Sequence, residues 1–351
     1  MKKLLISLLA CLCVGTTTAG FSACSDDEAG ETLRYRLNES GMSYIVTGLA
    51  DASVTDIVIP TMYKKRPVIA IEEEAFENCD TITSVVIPQS ISTIDNMAFY
   101  DCDNLTTISI AEGVTTIGNS AFNHCDSLTS VVIPDSVTSL GKAVFNQCDK
   151  LKAATIGDSV TILEEELFFG CNQLVSVIIG ESVTKISAYA FGNCSQLSGV
   201  IIPDGVTAIG REAFIGCNAL TSLTLPESVT SIDTGAFYLC DNLTSVLNMG
   251  KISEISGQAF ANCSKLTSIN IPETVFYIGT EAFRSCWALT SVRIPKNVKY
   301  ICDQAFSHCN GLVNIFFDGT VVEWHKIEKG FDWNCNVPAT EVVCSDGVVA
   351  L

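Results

Sequence analysis

The stretch AFNHCDSLTSVVIP (Ala121–Pro134) sets a cysteine three residues ahead of a leucine, and six and eight residues ahead of two further apolar side chains. Relatives of it recur along most of the chain, with their cysteines at Cys79, Cys102, Cys125, Cys148, Cys171, Cys194, Cys217, Cys240, Cys263, Cys286 and Cys309, each 23 residues after the last. The residues at plus six and plus eight, here Val131 and Ile133, point to one face of a strand, and Leu128 turns inward at its start. Pro follows in six of the eleven units, at Pro88, Pro134, Pro203, Pro226, Pro272 and Pro295, where it ends the strand because it has no amide hydrogen for a ladder. A second apolar pair comes next, such as Val137 and Leu140, and Phe stands three residues before every one of these cysteines.

One such unit cannot bury its leucine, branched residues and phenylalanine alone, so the units must stack and cover one another. A 23-residue period lies in the leucine-rich-repeat range and leaves no room for a long crossover helix. The fold expected is therefore a right-handed, curved leucine-rich-repeat solenoid. It should be mainly parallel β, with about twelve stacked turns forming one continuous sheet roughly 50 Å long. Each return arm is expected to be a short strand plus one helical or 3₁₀ turn carrying the phenylalanine. The repeats account for residues 54–320. Residues 33–53 alternate apolar and polar side chains around Asn38 to Gly41 and predict a capping hairpin. Residues 321–351 predict a C-terminal cap in which Trp324, Ile327, Phe331 and Trp333 cover the last turn.

The N-terminus predicts export. Lys2 and Lys3 precede an apolar run too short to span a bilayer, which reads as a signal peptide over residues 1–23. The run ends in FSAC (Phe21 to Cys24), which resembles a bacterial lipobox with Cys24 as the lipidated residue. Residues 24–32 then form an anchor and short acidic linker. SDDE (Ser25 to Glu28) has no aspartate directly after the cysteine, which in bacterial lipoproteins implies outer-membrane sorting, and it resembles the surface-export tag of Bacteroides-type lipoproteins. A formal charge of −19 excludes nucleic acid as a natural partner, because phosphates demand Lys and Arg.

The unit CDSLTSVVIPDSVTSLGKAVFNQ, the hairpin-like start and the tail together resemble the BspA-like leucine-rich-repeat family of bacterial surface proteins. That resemblance covers nearly all of the chain beyond the signal peptide. It implies an adhesin that binds extracellular-matrix proteins, host cells or other bacteria, held to the membrane only by its lipid. Glycan capture for nutrient uptake is the alternative.

Catalysis finds little support. His124 and His308 occupy one repeat position eight units apart, about 38 Å along the stack, and cannot share a site. His325 lies in the cap. No HExxH, GxSxG or phosphate-binding loop occurs, and no cofactor or metal is expected. The acidic column Glu112, Asp135, Asp158, Glu181, Asp204, Glu227 and Glu273 has neighbours about 5 Å apart, near the carboxylate spacing of a retaining glycosidase. Its residues stand on exposed turns, where nothing raises the pKa of one acid over the next, so a solvated edge is the expectation and weak cation binding the alternative.

Neighbouring repeat cysteines come within disulfide range, but equivalent side chains on stacked turns point in parallel, and the ladder is expected to be reduced. Cys335 and Cys344, outside the ladder, are candidates for a disulfide because the chain is exported. Two groups are candidate binding residues. One is the outward strip at plus seven, including Val132, Ile178, Ile201 and Leu247, on the strand face expected to be concave. The other is a cluster of Phe276, Tyr277, Arg284, Trp287, Arg293, Lys296, Lys299 and Tyr300, residue types that dominate interface hot spots.

Overall fold

The computed structural model describes residues 32–351, so the signal peptide and Cys24 lie outside the described residues. The chain winds as a parallel-strand solenoid of about 13 turns. Each turn has three sides. The first is a strand of two to five residues, such as Ser130–Ile133, whose side chains alternate exposed and buried. Ser130, Val131, Val132 and Ile133 pair in register with Ala153, Ala154, Thr155 and Ile156 one turn on. The second is a two-residue strand, such as Ser139–Leu140, paired with Thr116–Ile117.

The third side departs from expectation. From Leu33 onward the one α-helical segment is Val321–Trp324, and the segments carrying phenylalanine form neither helix nor 3₁₀ turn. They make a ladder of their own. Met97, Phe99 and Asp101 donate their amides to the carbonyls of Asn119, Ala121 and Asn123 at 2.8–2.9 Å, and the Phe-to-next-turn bond recurs from Phe76 to Phe306. The first and third of the three donors in each turn have left-handed backbone. Positive φ accordingly falls five residues and one residue before each repeat cysteine, as at Ser120 (54°) and His124 (57°). Asn, Asp and His tolerate that region better than most side chains. This accounts for His124 and His308 as backbone-compatible residues at one corner.

Two parallel stacks run through the core, beside the buried Leu, Val and Ile of the strands. Eleven phenylalanines, Phe76 to Phe306, are all fully buried. Consecutive rings lie 4.9–5.7 Å apart and within 5–15° of parallel. At that separation the rings are offset rather than eclipsed, the arrangement their quadrupoles prefer. Beside them runs the cysteine ladder. Each thiol from Cys102 to Cys309 donates to the carbonyl of the phenylalanine in the preceding turn, at 3.0–3.2 Å. Cysteine fits because it is small, apolar and still able to donate.

The long-strand column is not one continuous sheet. Ladder pairing is interrupted between Thr107–Ile110 and Ser130–Ile133, and again between Gly199–Val200 and Ser222–Leu225. The second gap coincides with a strand cut to two residues where Gly199 adds no side chain to the face. One turn further on, a bulge at Asn248 (φ 60°) puts Met249 opposite Leu225 in place of the residue the repeat predicts.

Both ends are closed by antiparallel hairpins. Leu33–Leu37 pairs with Tyr44–Leu49, and Asn38 Oδ1 accepts the amides of Met42 and Ser43 across the turn. Tyr35 stacks on Tyr63 at 4.0 Å. At the other end Thr320 and Glu323 form a reciprocal capping box on the helical turn. Trp324, Ile327 and Trp333 are buried, with Trp333 packed edge-on against Phe306 at 6.2 Å. Phe331 does not join them. It is 75% exposed because its backbone, not its ring, is tied to the last turn through Asp303 and Gln304.

Candidate binding surface

Three surfaces follow from the three-sided turn. Plus-six and plus-eight residues of each long strand fill the core, so the plus-seven residue faces out. Val132 is 55% exposed, Ile201 66% and Leu247 57%, with Ile178 half-buried and Thr155 and Thr224 between them. Register fixes the order Val132, Thr155, Ile178 across three turns and Thr224, Leu247 across two more. These side chains make one row along the solenoid axis. The flanking plus-five positions are mostly Ser, Ala or Gly, so the apolar row stands above a low floor.

Three residues along each turn stands the acidic column, exposed at Glu112, Asp135, Asp158, Glu181, Asp204 and Glu227. Asp135 and Asp158 each accept the backbone amide of the next column residue, at 2.8 and 3.0 Å, and Glu112 accepts the amide of Ser136. These carboxylates cap backbone donors at a corner where the ladder turns. One oxygen is so engaged, and the charge still faces solvent.

A second acidic group follows the cysteines. Asp103 and Asp126 have their carboxyl pKa raised, first by burial and then by neighbouring aspartates, with His124 acting in the opposite direction. Asp126 Oδ1 is enclosed without a hydrogen-bond partner. Among the described residues no group of three His, Cys, Asp or Glu side chains is arranged to hold a metal ion. Further along this corner, Gly170 and Gly216 leave a shallow trough of about 330 Å³ lined by Asn172, Asn193, Ser195 and Asn218. Its lining includes no histidine, lysine or cysteine, and its one acid is Asp241.

The aromatic and basic cluster near the C-terminal end is divided among the three sides. Arg293 lies on the long-strand face, over the ring of Phe316 at 5.3 Å and ion-paired with Asp318. Lys296 occupies the place of the acidic column. Phe276, Tyr277, Lys299 and Tyr300 lie together on the second side, where Tyr277 and Tyr300 pair in register with rings 6.1 Å apart. Arg284 and Trp287 belong to the third side and its corner, with Arg284 held by Glu281 at 3.3 Å. Nearness in sequence misled here because successive residues of one turn wrap around the core.

Cys335 and Cys344 are both free. The candidate disulfide between them is not formed: Cys335 sits on the third side, where its carbonyl accepts the amide of His308, while Cys344 ends a strand on the first. His308 is held by Ser307 Oγ at 2.6 Å and Asn336 Nδ2 at 3.0 Å, joining the last repeat to the cap. Lys329, whose position only the folded cap reveals, donates to the carbonyls of Trp324 and Ile327 and lies over the Trp324 ring, and burial lowers its pKa.

The geometry defines a class first: a stacked-repeat solenoid with broad, shallow outer faces and a core spent on stability. The sequence matches the model described as "BspA type Leucine rich repeat region (6 copies)" over residues 69–198 and 184–313, and the chain belongs to that family. A leucine-rich-repeat protein from Bacteroides ovatus is similar at 25% identity, over 85% of this chain and 89% of that one, with a TM-score of 0.59. A leucine-rich cell surface protein from Faecalibacterium prausnitzii is 29% identical over 85% of this chain and 96% of its own, with a TM-score of 0.47. No curated protein matches the sequence. No helix among the described residues is long and apolar enough to cross a membrane.

Proposed function

We propose that this chain is a lipid-anchored cell-surface protein that adheres to other proteins, on a host or on another bacterium, through the long-strand face and without catalysis. The observation that carries the reading is the outward row of exposed Val132, Ile201 and Leu247 with half-buried Ile178 on the stacked strands. Apolar side chains set in line on a surface otherwise rich in Ser and Thr are what a partner covers. Family membership supports protein interaction as the general role. The lipobox at Cys24 supports the anchor.

The test is adhesion of cells bearing the full chain to immobilised matrix proteins and to other bacteria. Ile201→Asp with Leu247→Asp should lower retention at least tenfold while Trp287→Ala leaves it unchanged, and Cys24→Ala should release the protein from the membrane fraction. Retention unaffected by the paired aspartates removes this face from the reading. A glycan-capture reading is favoured by one observation, the exposed Phe276 and Tyr300 with the half-buried Tyr277 near a trough of about 270 Å³ that includes Tyr300, Asp303 and Glu328, since aromatic faces stack on sugars. Competition by free oligosaccharide separates the two.

A further inference from the structure

Resting on that reading of the long-strand face, we infer that its partner element is a basic amphipathic helix lying along the solenoid axis. The apolar row and the acidic column run side by side over the same turns. Val132 is matched by Asp135, Thr155 by Asp158, Ile178 by Glu181, Ile201 by Asp204 and Thr224 by Glu227. All five acids are exposed. Three residues of chain, running from the strand into the turn, put the charge at most about 10 Å to one side of the apolar row, within the width of a helix.

Spacing selects the helix over an extended strand. Neighbouring turns repeat every ~4.8 Å, so the row from Val132 to Leu247 spans about 24 Å. A helix presents one face every ~5.4 Å and drifts by only about 3 Å over five turns. An extended chain presents one face every ~6.8 Å and drifts by about 10 Å over five repeats. About 16 helical residues cover the row.

The charge asymmetry fixes which way the helix must be decorated. Within three residues of the row the acids lie on one flank alone; the opposite flank carries Lys152 and the exposed Val175 there, with Asp126 and Asp149 three residues further off at the cysteine corner. A matching helix therefore has leucine-like residues in the middle, Lys or Arg on one flank and apolar or acidic residues on the other. Beyond Leu247 the column loses its acid at Gly250, regains it at Glu273 and reverses sign at Lys296, while the outward row turns polar at Asn270 and Arg293. The complementary stretch ends there.

Three synthetic 18-residue peptides test this with the full chain. One carries a leucine face with lysine along one flank, the second replaces each lysine by glutamate, and the third inserts a central proline into the lysine peptide. Fluorescence anisotropy should show the lysine peptide binding at least tenfold tighter than either control. Ile201→Asp should weaken it at least tenfold. Asp158→Asn with Asp204→Asn, which keeps an amide-accepting oxygen on each side chain, should weaken it severalfold and flatten its salt dependence. Far-ultraviolet circular dichroism unchanged from the parent confirms that each variant is folded. Equal binding of the three peptides, or binding of the lysine peptide unaffected by Ile201→Asp, overturns the inference. If Ile201→Asp with Leu247→Asp abolishes cell adhesion while the peptides bind alike, the face stands and this partner chemistry falls.

Discussion

Cys125 donates its thiol hydrogen to the carbonyl of Phe99, 3.2 Å away and one turn back. The bond ties together the two most regular columns of the core. It turns the cysteine from a potential crosslink into a register pin: a slip of one residue would remove the apolar wall, the donor and the stacked ring together. A thiol hydrogen bond is weak, but a mid-ladder carbonyl has no solvent to replace it. Cys194→Ala should cost about 1–2 kcal/mol, from the lost donor and the small cavity left behind. Denaturant unfolding measures this, and an unchanged midpoint would show that the bond is incidental.

Burial holds the ladder thiols protonated. Cys102 and Cys240 are pushed up to about 12 from an ordinary 9.0, chiefly by desolvation. A raised folded-state pKa contributes stability that is complete below the unfolded value and lost as pH rises through the folded one. The melting temperature should therefore be insensitive to these thiols up to about pH 9 and fall steeply between about 9 and 12. Replacing Cys102 and Cys240 by alanine should flatten that fall. An equally steep loss in the double variant would assign it to other groups.

Accessibility should divide the cysteines in the same way. Cys302 and Cys335 are half-buried, whereas the ladder from Cys102 to Cys309 is buried. Alkylation of the native protein at pH 8, read by peptide mapping, should modify Cys302 and Cys335 and spare Cys125 through Cys286. Modification of the ladder at comparable rates would contradict the packing.

Phe191 is fully buried between Phe168 and Phe214, with ring separations of 5.7 and 5.1 Å. Phe191→Ala should destabilise by about 3–5 kcal/mol. Each turn contacts mainly its neighbours, so the loss should be greatest near the site, and hydrogen exchange should show protection lost in adjacent turns before distant ones. A uniform loss along the chain would mean that the solenoid opens as a unit.

Leu239 holds φ at 61° where other units have Asn193, Gly216 or Asn262. It is 38% exposed, so little burial repays the strain. Left-handed backbone costs a bulky L-residue about 1–2 kcal/mol, and Leu239→Asn should raise stability by about 0.5–1 kcal/mol in thermal or denaturant unfolding. A destabilised variant would show that the leucine packs better than its exposure suggests.

Repetition is why so much of this was legible in the sequence. Leu128, Val131, Ile133 and Phe122 recur in phase, and one period with one apolar pattern admits a stack and little else. The third side was less visible. Its left-handed positions carry Asn, Gly, Asp and His often enough to signal a tight corner, but Met97, Ala143, Tyr189 and Leu239 occupy the same places and blur it. Cys335 and Cys344 looked pairable because sequence distance does not say which side of a turn a residue occupies. The same ambiguity made Arg284, Trp287, Arg293 and Tyr300 look like one site. The acidic column was visible as charge, whereas its capping of backbone amides depended on the offset between turns.

The thiol-to-carbonyl bonds all run backward, from each turn to the one before. A whole unit of 23 residues duplicated or deleted within the run restores every bond, every stacked ring and both hairpin ends. It changes only how far the outer row reaches, by one residue and about 4.8 Å. Copy number thus acts as a ruler for the length of the outer face, set in steps of one turn.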